Sequence, residues 1–304
     1  MIESAKMESM AGRLSSNLLL SMICPLQQLY STLLFRWHFY IAQSILMQPA
    51  IALKKKLDDS QPVLGMLVMN HFWLELVEIA QAAGLDYMII DLEHHPRDGE
   101  LVANACRIGR LAGFAIFLRS RRTDAESIGE VLDLGPCGLL LPMIESAEQL
   151  DGVRDGIYLP PRGRRRPGGP GNRWAKQADY EGFKSAVEDH LVVLPQIESQ
   201  LGLKNVQEIA DHEITTALAV GPFDLSSQLG VCGQMDHPKL ADALATIRDA
   251  AERAGKPSWM IGDGEKLTQQ GYKFLSITEP SYLLENTLRE LTAEVRQLAN
   301  ENGQ

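Results

Sequence analysis

Four short runs of the chain carry residue types suited to acid–base or metal chemistry: Asp91-Leu92-Glu93-His94, Arg119, Gln196-Ile197-Glu198 and Gly221-Pro222-Phe223-Asp224. Two carboxylates, Glu198 and Asp224, can share one hard divalent cation. Oxygen ligands suit Mg2+ or Mn2+, which keep positions open for water and substrate. A 2-oxo acid offers such an ion its carboxylate and keto oxygens, and the ion acts as a Lewis acid toward a developing enolate. Arginine suits the same oxygen as charge builds on it, which is the role open to Arg119. Histidine moves protons near neutrality, so His94 is the candidate acid–base group. Asp91, three residues earlier, could orient its ring and fix its tautomer. Glu93 could reach the metal through a water.

Each residue also has a purely structural reading. Asp224, before Leu225-Ser226-Ser227, could cap a helix. Glu198 could be a first-turn helix acid that interacts with the dipole. The case for chemistry rests on four such runs falling at the ends of strands. Lysine placement adds to it. A Schiff-base aldolase needs a lysine projecting into the site. Lys273 starts a strand, Lys256 precedes one, Lys266 lies several residues beyond one, and Lys176 falls in a long loop. If the chain is an aldolase, metal-assisted enolate chemistry is the better inference.

The elements that must position these residues are legible from periodicity. Short apolar runs alternate with amphipathic stretches from about Pro62 onward, the pattern of βα units. The strands expected are Val63–Met69, Tyr87–Asp91, Phe114–Arg119, Gly138–Leu141, Leu191–Gln196, Thr216–Val220, Ser258–Ile261 and Phe274–Ile277. Helices are expected over Leu74–Ala83, Glu100–Leu111, Ala125–Leu134 and Ser281–Ala299. Eight strands in roughly 255 residues predict an α/β chain folded as a (β/α)8 TIM barrel, whose active sites sit at the C-terminal ends of the strands. A doubly wound sheet is the alternative. It lacks a phosphate fingerprint, because neither Gly262-Asp263-Gly264 nor the Gly163–Gly171 loop has the required spacing.

The chain has 304 residues, 29 basic and 39 acidic, for a formal charge of −10. That balance disfavours a nucleic-acid binder, whose affinity comes from neutralising phosphates. Hydrophobic residues at 45% and charged residues at 22% exclude a disordered chain. Cys24, Cys106, Cys137 and Cys232 are scattered without a CxxC pair, which argues against a zinc site or disulfide framework and fits a cytoplasmic compartment. Residues 1–49 differ from the rest and are expected to be a poorly ordered extension, with 50–304 the barrel. Leu14 to Phe35 is uncharged and long enough to cross a bilayer. Its Ser15, Ser16, Asn17, Gln27 and Gln28, with the helix-breaking Pro25, argue against that. An organelle signal, which would make the protein mitochondrial, and a membrane anchor are the other readings of this segment.

Asp91-Leu92-Glu93-His94, Arg119, Leu139-Leu140-Leu141-Pro142-Met143, Gln196-Ile197-Glu198 and Gly221-Pro222-x-Asp224-Leu225-Ser226 together resemble the HpcH/HpaI class II pyruvate aldolases. The resemblance covers roughly residues 50–300, with the motifs in order. It implies a barrel of the phosphoenolpyruvate/pyruvate type and a lyase that cleaves or forms 4-hydroxy-2-oxo acids through a pyruvate enolate held by a divalent metal, Mg2+ or Mn2+ with Co2+ as another option, and no organic cofactor. It implies Glu198 and Asp224 as metal ligands, Arg119 on the keto oxygen, and His94 with Asp91 as the acid–base dyad. Gln196 matches a pyruvate-site residue, and the N–H groups of Phe223 and Asp224 would receive the substrate carboxylate at a helix N-terminus. Asp133 matches a further acidic position. The partners implied are a 2-oxo acid and an aldehyde, and the assembly implied is a hexamer of dimers that exchange the last helix. Oxaloacetate decarboxylation, or a macrophomate-synthase-like reaction, would use the same enolate. A non-catalytic barrel is the reading from another class.

Two departures from the family pattern bear on substrate. Phe223 stands where the family has a small residue, which would reshape the pocket beside the carboxylate. The loop Pro160-Pro161-Arg162-Gly163-Arg164-Arg165-Arg166 is more basic than usual. It reads either as a solvated loop or as a lid for an anionic aldehyde. Arg121 and Arg122 are either surface residues or a further preference for an acidic substrate, and His95 is either a loop histidine or a second base.

Overall fold

In the computed structural model, residues 47–169, 172 and 180–302 are described. The targeting and membrane expectations for the extension fall outside these residues. Among the described residues no helix is long and apolar enough to cross a membrane.

Among the described residues the first element is α1 (Gln48–Asp58), followed by β1 (Val63–Val68), α2 (Glu75–Ala82), β2 (Tyr87–Asp91), α3 (Gly99–Ala112) and β3 (Ala115–Arg119). It continues through α4 (Ala125–Asp133), β4 (Gly138–Leu141), α5 (Ala147–Ile157), α6 (Tyr180–Ala186) and β5 (Val192–Ile197). The second half carries α7 (Gln200–Lys204), α8 (Val206–Asp211), β6 (Leu218–Val220), α9 (Pro222–Gln228), α10 (Pro238–Arg253), β7 (Ser258–Ile261), α11 (Gly264–Gln269), β8 (Phe274–Thr278) and α12 (Pro280–Asn302). The eight strands close in sequence order into an all-parallel barrel. All eight expected strands form. β6 starts two residues late because the Thr216 hydroxyl accepts the Val193 N–H at 3.0 Å, which replaces a ladder bond.

The expected boundary after residue 49 falls inside α1. Met47, Ala50 and Leu53 bury one face of this helix in the core. Pro49 lies in the first turn, where its missing N–H would have no helical partner anyway.

The barrel interior is sealed beneath its upper rim by aromatic rings. Tyr87 stacks on Phe117 at 5.3 Å and meets Phe274 edge-on at 5.2 Å. The Trp259 indole N–H donates to the Tyr87 oxygen, whose hydroxyl donates to the Leu275 carbonyl, each at 2.7 Å. Gly65 makes room for this layer, since a Cβ there would lie 2.4 Å from the Tyr87 ring.

In a (β/α)8 barrel the helices run back against the strands, so their C-termini lie at the end opposite the strand C-termini. The basic loop sits at that opposite end, which overturns its reading as a lid within this chain. Arg162 pairs with Glu188 and Asp189, just ahead of β5, and stacks on Tyr158 at 3.7 Å. Arg164 pairs with Asp155 of α5. Arg165 is buried against Asp133, the last residue of α4, at 3.0 Å. Asp133 also accepts from the Asn172 amide at 2.8 Å and from the Gly168 N–H. It anchors a loop far from the strand C-termini and does not support the candidate site of its own chain.

Candidate active site

Strand register brings the first two groups together. Asp91 pairs with Arg119 across β2 and β3, and residues paired in register point to the same face. The Arg119 Nε therefore meets Asp91 Oδ1 at 2.8 Å, with Glu93 Oε2 3.3 Å away. Asp91 is fully buried. Burial alone would raise its carboxyl, but the Arg119 guanidinium and the N–H groups of Glu93 and His94 hold it below the usual range. Burial works against the Arg119 charge, and the bond to Asp91 outweighs it, so this guanidinium is held even more firmly protonated.

The expected His94–Asp91 dyad takes a different form. Asp91 binds the backbone N–H of His94 at 3.2 Å, and both of its oxygens are occupied by Arg119 and backbone donors. The carboxylate nearest the His94 ring is Glu93, 3.6 Å from Nε2. The ring is mostly solvent-exposed, which leaves it at the mouth of the barrel. Burial pushes the Glu93 carboxyl up against the pull of Arg119 and His94.

Glu198 lies just past β5. Ser199 caps α7 by accepting the Gly202 N–H at 3.0 Å. Glu198 therefore precedes the helix and does not occupy its first turn. It is only 4% exposed. Its Oε2 accepts the Met143 N–H at 2.9 Å, and Met143 reaches that position with a left-handed φ of 50°. A non-glycine residue there carries local strain, a feature that concentrates at functional sites. Burial pushes the Glu198 carboxyl up to about 7, helped by the charges of Asp224 and Glu93.

Asp224 lies in the first turn of α9, so it is not the helix cap. The N-cap is Gly221, which supplies no capping side chain, and Pro222 has no N–H. The helix thus opens on the N–H groups of Phe223 and Asp224. Phe223 itself is 60% exposed and lies against Gly233, so its ring sits on the outer lip.

The site holds unmet hydrogen-bonding capacity. Arg119 Nη2 and Gln196 Oε1 are buried with no partner. A buried donor or acceptor left unpaired costs about 1–3 kcal/mol, so these two atoms mark where a ligand would bond. Glu198, Asp224 and Glu93 lie within range of one another's charge, with Arg119 as their buried counter-ion. A divalent cation fits this excess. Among the described residues no three Asp, Glu, His or Cys side chains form a ready ion cage, so a cation at this rim would have to be held by a pair of carboxylates. Two carboxylates with remaining positions open are a normal Mg2+ arrangement.

Sequence reasoning quoted Gly221 and Met143 within motifs without giving either a role, and it missed Arg97. A Cβ at Gly221 would lie 2.1 Å from Glu198 Oε1. Its φ of −99° is open to any residue, so the requirement is space. Because the clashing atom is the far end of a flexible side chain, Gly221→Ala is expected to leave the fold intact but displace the Glu198 carboxylate. Unfolding midpoints within experimental error, with activity down at least about tenfold, would match a site carboxylate pushed out of place. Unchanged activity would show that Glu198 need not occupy this position. The signal in the sequence was a glycine directly after a strand. Arg97 donates from Nε to the Asp91 carbonyl at 2.8 Å and from Nη2 to the Val68 carbonyl at 2.9 Å, clamping the ends of β2 and β1. Five residues of loop separate it from its strand, so no spacing rule pointed to it.

Three polar residues singled out in the sequence are peripheral. Arg121 donates to the Leu92 carbonyl at 3.3 Å, Arg122 pairs with Asp124 at 3.5 Å, and His95 contacts the Pro96 carbonyl; all three are exposed. A cavity of about 650 Å3 opens elsewhere, between α10 and α11, lined by residues such as Leu240, Leu244, Met260 and Leu267. None of the candidate site residues lines it.

Residues 66–277 match the family model described as HpcH/HpaI aldolase/citrate lyase. The chain is 29% identical over 262 residues to a 4-hydroxy-2-oxovalerate aldolase of Rhodococcus jostii, covering 83% of this chain and 98% of that one. It is 31% identical over 268 residues to a hydroxypyruvate/pyruvate aldolase of Deinococcus radiodurans, covering 83% and 92%. Among solved structures, an HpcH/HpaI aldolase from Desulfitobacterium hafniense superposes with a TM-score of 0.72 at 26% identity, covering 79% of this chain and 95% of that one.

Proposed function

The chain belongs to the HpcH/HpaI aldolase/citrate lyase family and is a lyase of the aldolase type, and within that class we propose that it is divalent-metal-dependent and cleaves or forms 4-hydroxy-2-oxo acids. The observation that carries this reading is the buried Glu198 beside Asp224, with orphaned Arg119 Nη2 and Gln196 Oε1 on the same rim.

Glu198 and Asp224 would hold the cation, Mg2+ or Mn2+, which supplies Lewis-acid stabilisation of negative charge at the keto oxygen. Arg119 Nη2 donates to that oxygen, and its position is set by the Asp91 bond on Nε. The N–H groups of Phe223 and Asp224 receive the substrate carboxylate. His94 takes the proton from the 4-hydroxyl, with Glu93 beside it to balance the charge on the ring. As the C3–C4 bond breaks, its electron pair passes to the C2 carbonyl as an enolate. A proton returned to C3 gives pyruvate, and C4 leaves as the aldehyde.

Assembly is part of the same reading. α12 is 23 residues long, about 34 Å at 1.5 Å per residue. Leu284, Leu288, Leu291, Val295 and Leu298 form an exposed stripe along it at alternating spacings of four and three, the pattern of a helix that packs against another. This supports a homo-oligomer that exchanges the helix.

The test is release of pyruvate from a panel of 4-hydroxy-2-oxo acids by protein supplied with Mg2+, Mn2+ or Co2+. The result expected is release that chelation abolishes and metal restores. Release that survives complete chelation would overturn the metal assignment. Inactivity on the whole panel, with turnover of oxaloacetate alone, would move the protein to the decarboxylase reading.

A further inference from the structure

β8 brings a polar end to the rim that neither the metal pair nor the pyruvate site uses. Gly65 of β1 faces the barrel interior, because its missing Cβ is filled by the Tyr87 ring. Its partner on β8 is Ser276, so Ser276 also faces inward. The register then slips: Met66 pairs with Thr278, which leaves Ile277 as a bulge. Met66 follows Gly65 and points the other way, and so does Thr278. The next residue, Glu279, is thereby turned toward the mouth of the barrel. Re-aiming a side chain in this way is a common use of a bulge beside an active site. Without it, Thr278 would take the inward position.

Two oxygens on this inward line are orphaned. Glu279 is 8% exposed, and its Oε1 has no partner, while Oε2 accepts the Tyr282 N–H at 3.0 Å at the start of α12. Ser276, one inward position deeper, is fully buried with its hydroxyl unpartnered. Arg97 lies within range of the Glu279 charge. Its Nε and Nη2 are held by the carbonyls of Asp91 and Val68, which leaves Nη1 for another acceptor. Asp91 and Glu279 are the two carboxylates whose charges act on it. A fixed carboxylate acceptor next to a fixed guanidinium donor matches a neutral ligand that carries hydroxyl groups. It repels a second carboxylate, so the anionic aldehyde suggested by the arginine-rich loop is not the better fit.

We infer that Glu279, with Ser276 beneath it and Arg97 alongside, forms the subsite for the aldehyde and selects an uncharged hydroxylated aldehyde over an alkyl one. This inference rests on the enolate site proposed above. A site built to hydrogen-bond a hydroxyl rejects the analogue lacking it far more strongly than an apolar pocket rejects the converse.

The experiment compares kcat/KM for aldol addition of pyruvate to glyceraldehyde and to propanal, with Mg2+ present. The unaltered protein is expected to favour glyceraldehyde. Glu279→Gln retains an oxygen for the Tyr282 N–H, so the start of α12 is preserved, and it should lower the glyceraldehyde-to-propanal ratio at least tenfold. Glu279→Leu should lower it further. A ratio that stays within twofold of the unaltered protein, or an equal loss on both aldehydes, overturns the assignment. Exchange of the pyruvate methyl protons in D2O by the unaltered protein reports the enolate site without any aldehyde. Absence of that exchange overturns the proposed function and this inference with it. Exchange with an unchanged ratio overturns the inference alone.

Discussion

Glu198→Gln is expected to abolish metal-dependent lyase activity while making the metal-free protein more stable above neutral pH. The loss follows from removal of one of two protein ligands. Lewis-acid stabilisation worth about 4 kcal/mol corresponds to roughly 10^3-fold in rate. The gain follows from the sign of the Glu198 shift. Its carboxyl rises from an ordinary 4.5 to about 7 on folding, chiefly through burial, so the folded state holds the proton more tightly than the unfolded state. The stability from this site is complete below about pH 4.5 and is lost as pH rises to about 7, by about 3 kcal/mol in total. A neutral glutamine escapes that loss and can still accept the Met143 N–H. Denaturant unfolding of metal-free protein at pH 8 should therefore favour the variant by up to about 3 kcal/mol, and by little at pH 5. Added Mg2+ should stabilise the unaltered protein and leave the variant unchanged. A variant less stable than its parent at pH 8 would show that the buried carboxylate is not a liability. Unchanged Mg2+ binding would remove Glu198 from the ligand set.

Substitution of Arg119 should produce the other large effect and separate its two roles. Arg119→Lys keeps a cation near Asp91 but loses the planar fork, and with it the donor that points at the keto oxygen. Loss of one such donor lowers kcat by about 10^2–10^3-fold. Arg119→Met removes the charge as well. Asp91, fully buried and bonded to Arg119 at 2.8 Å, would be left without its counter-ion, and breaking a buried pair from one side destabilises by about 3–5 kcal/mol. The lysine variant should thus fold near normally and be slow, and the methionine variant should be both inactive and markedly unstable. Kinetics and urea unfolding on the two proteins decide it. Equal stability of the two would mean that Asp91 takes a proton without penalty once its partner is gone.

Much of this architecture was legible in the sequence because it follows from short-range rules. Apolar runs of four to seven residues between amphipathic stretches have few solutions other than parallel βα units, and the strand ends matched within one or two residues. Placing Asp91, Arg119, Glu198 and Asp224 on one rim needed only the direction of the strands. The lid reading of the basic loop failed because it depended on contacts between remote segments. Its sequence records a cluster of arginines but not that Asp133, Asp155, Glu188 and Asp189 come from other elements to pair with them at the far end of the barrel. Burial of Arg165 against Asp133 turned a supposed ligand-gathering charge into a structural tie.

Asp91 and His94 show the same limit at closer range. Their spacing allowed a ring contact, but cross-strand register gave the Asp91 oxygens to Arg119 and to two backbone donors first. Glu93 was left as the neighbour of the histidine ring.

The sequence by itself determined which chemistry was available: the order of strands, the acidic and basic residues at their ends, and the absence of a lysine placed for a Schiff base. Only the tertiary structure decided which of those groups touch. The 2.1 Å that a Cβ at Gly221 would leave to Glu198, the Met143 N–H on Glu198 and the bulge that turns Glu279 inward all depend on distances between segments remote in the chain. Composition and periodicity carry no information about such distances, because they are set by closure of the barrel, where eight strands must satisfy one register at once.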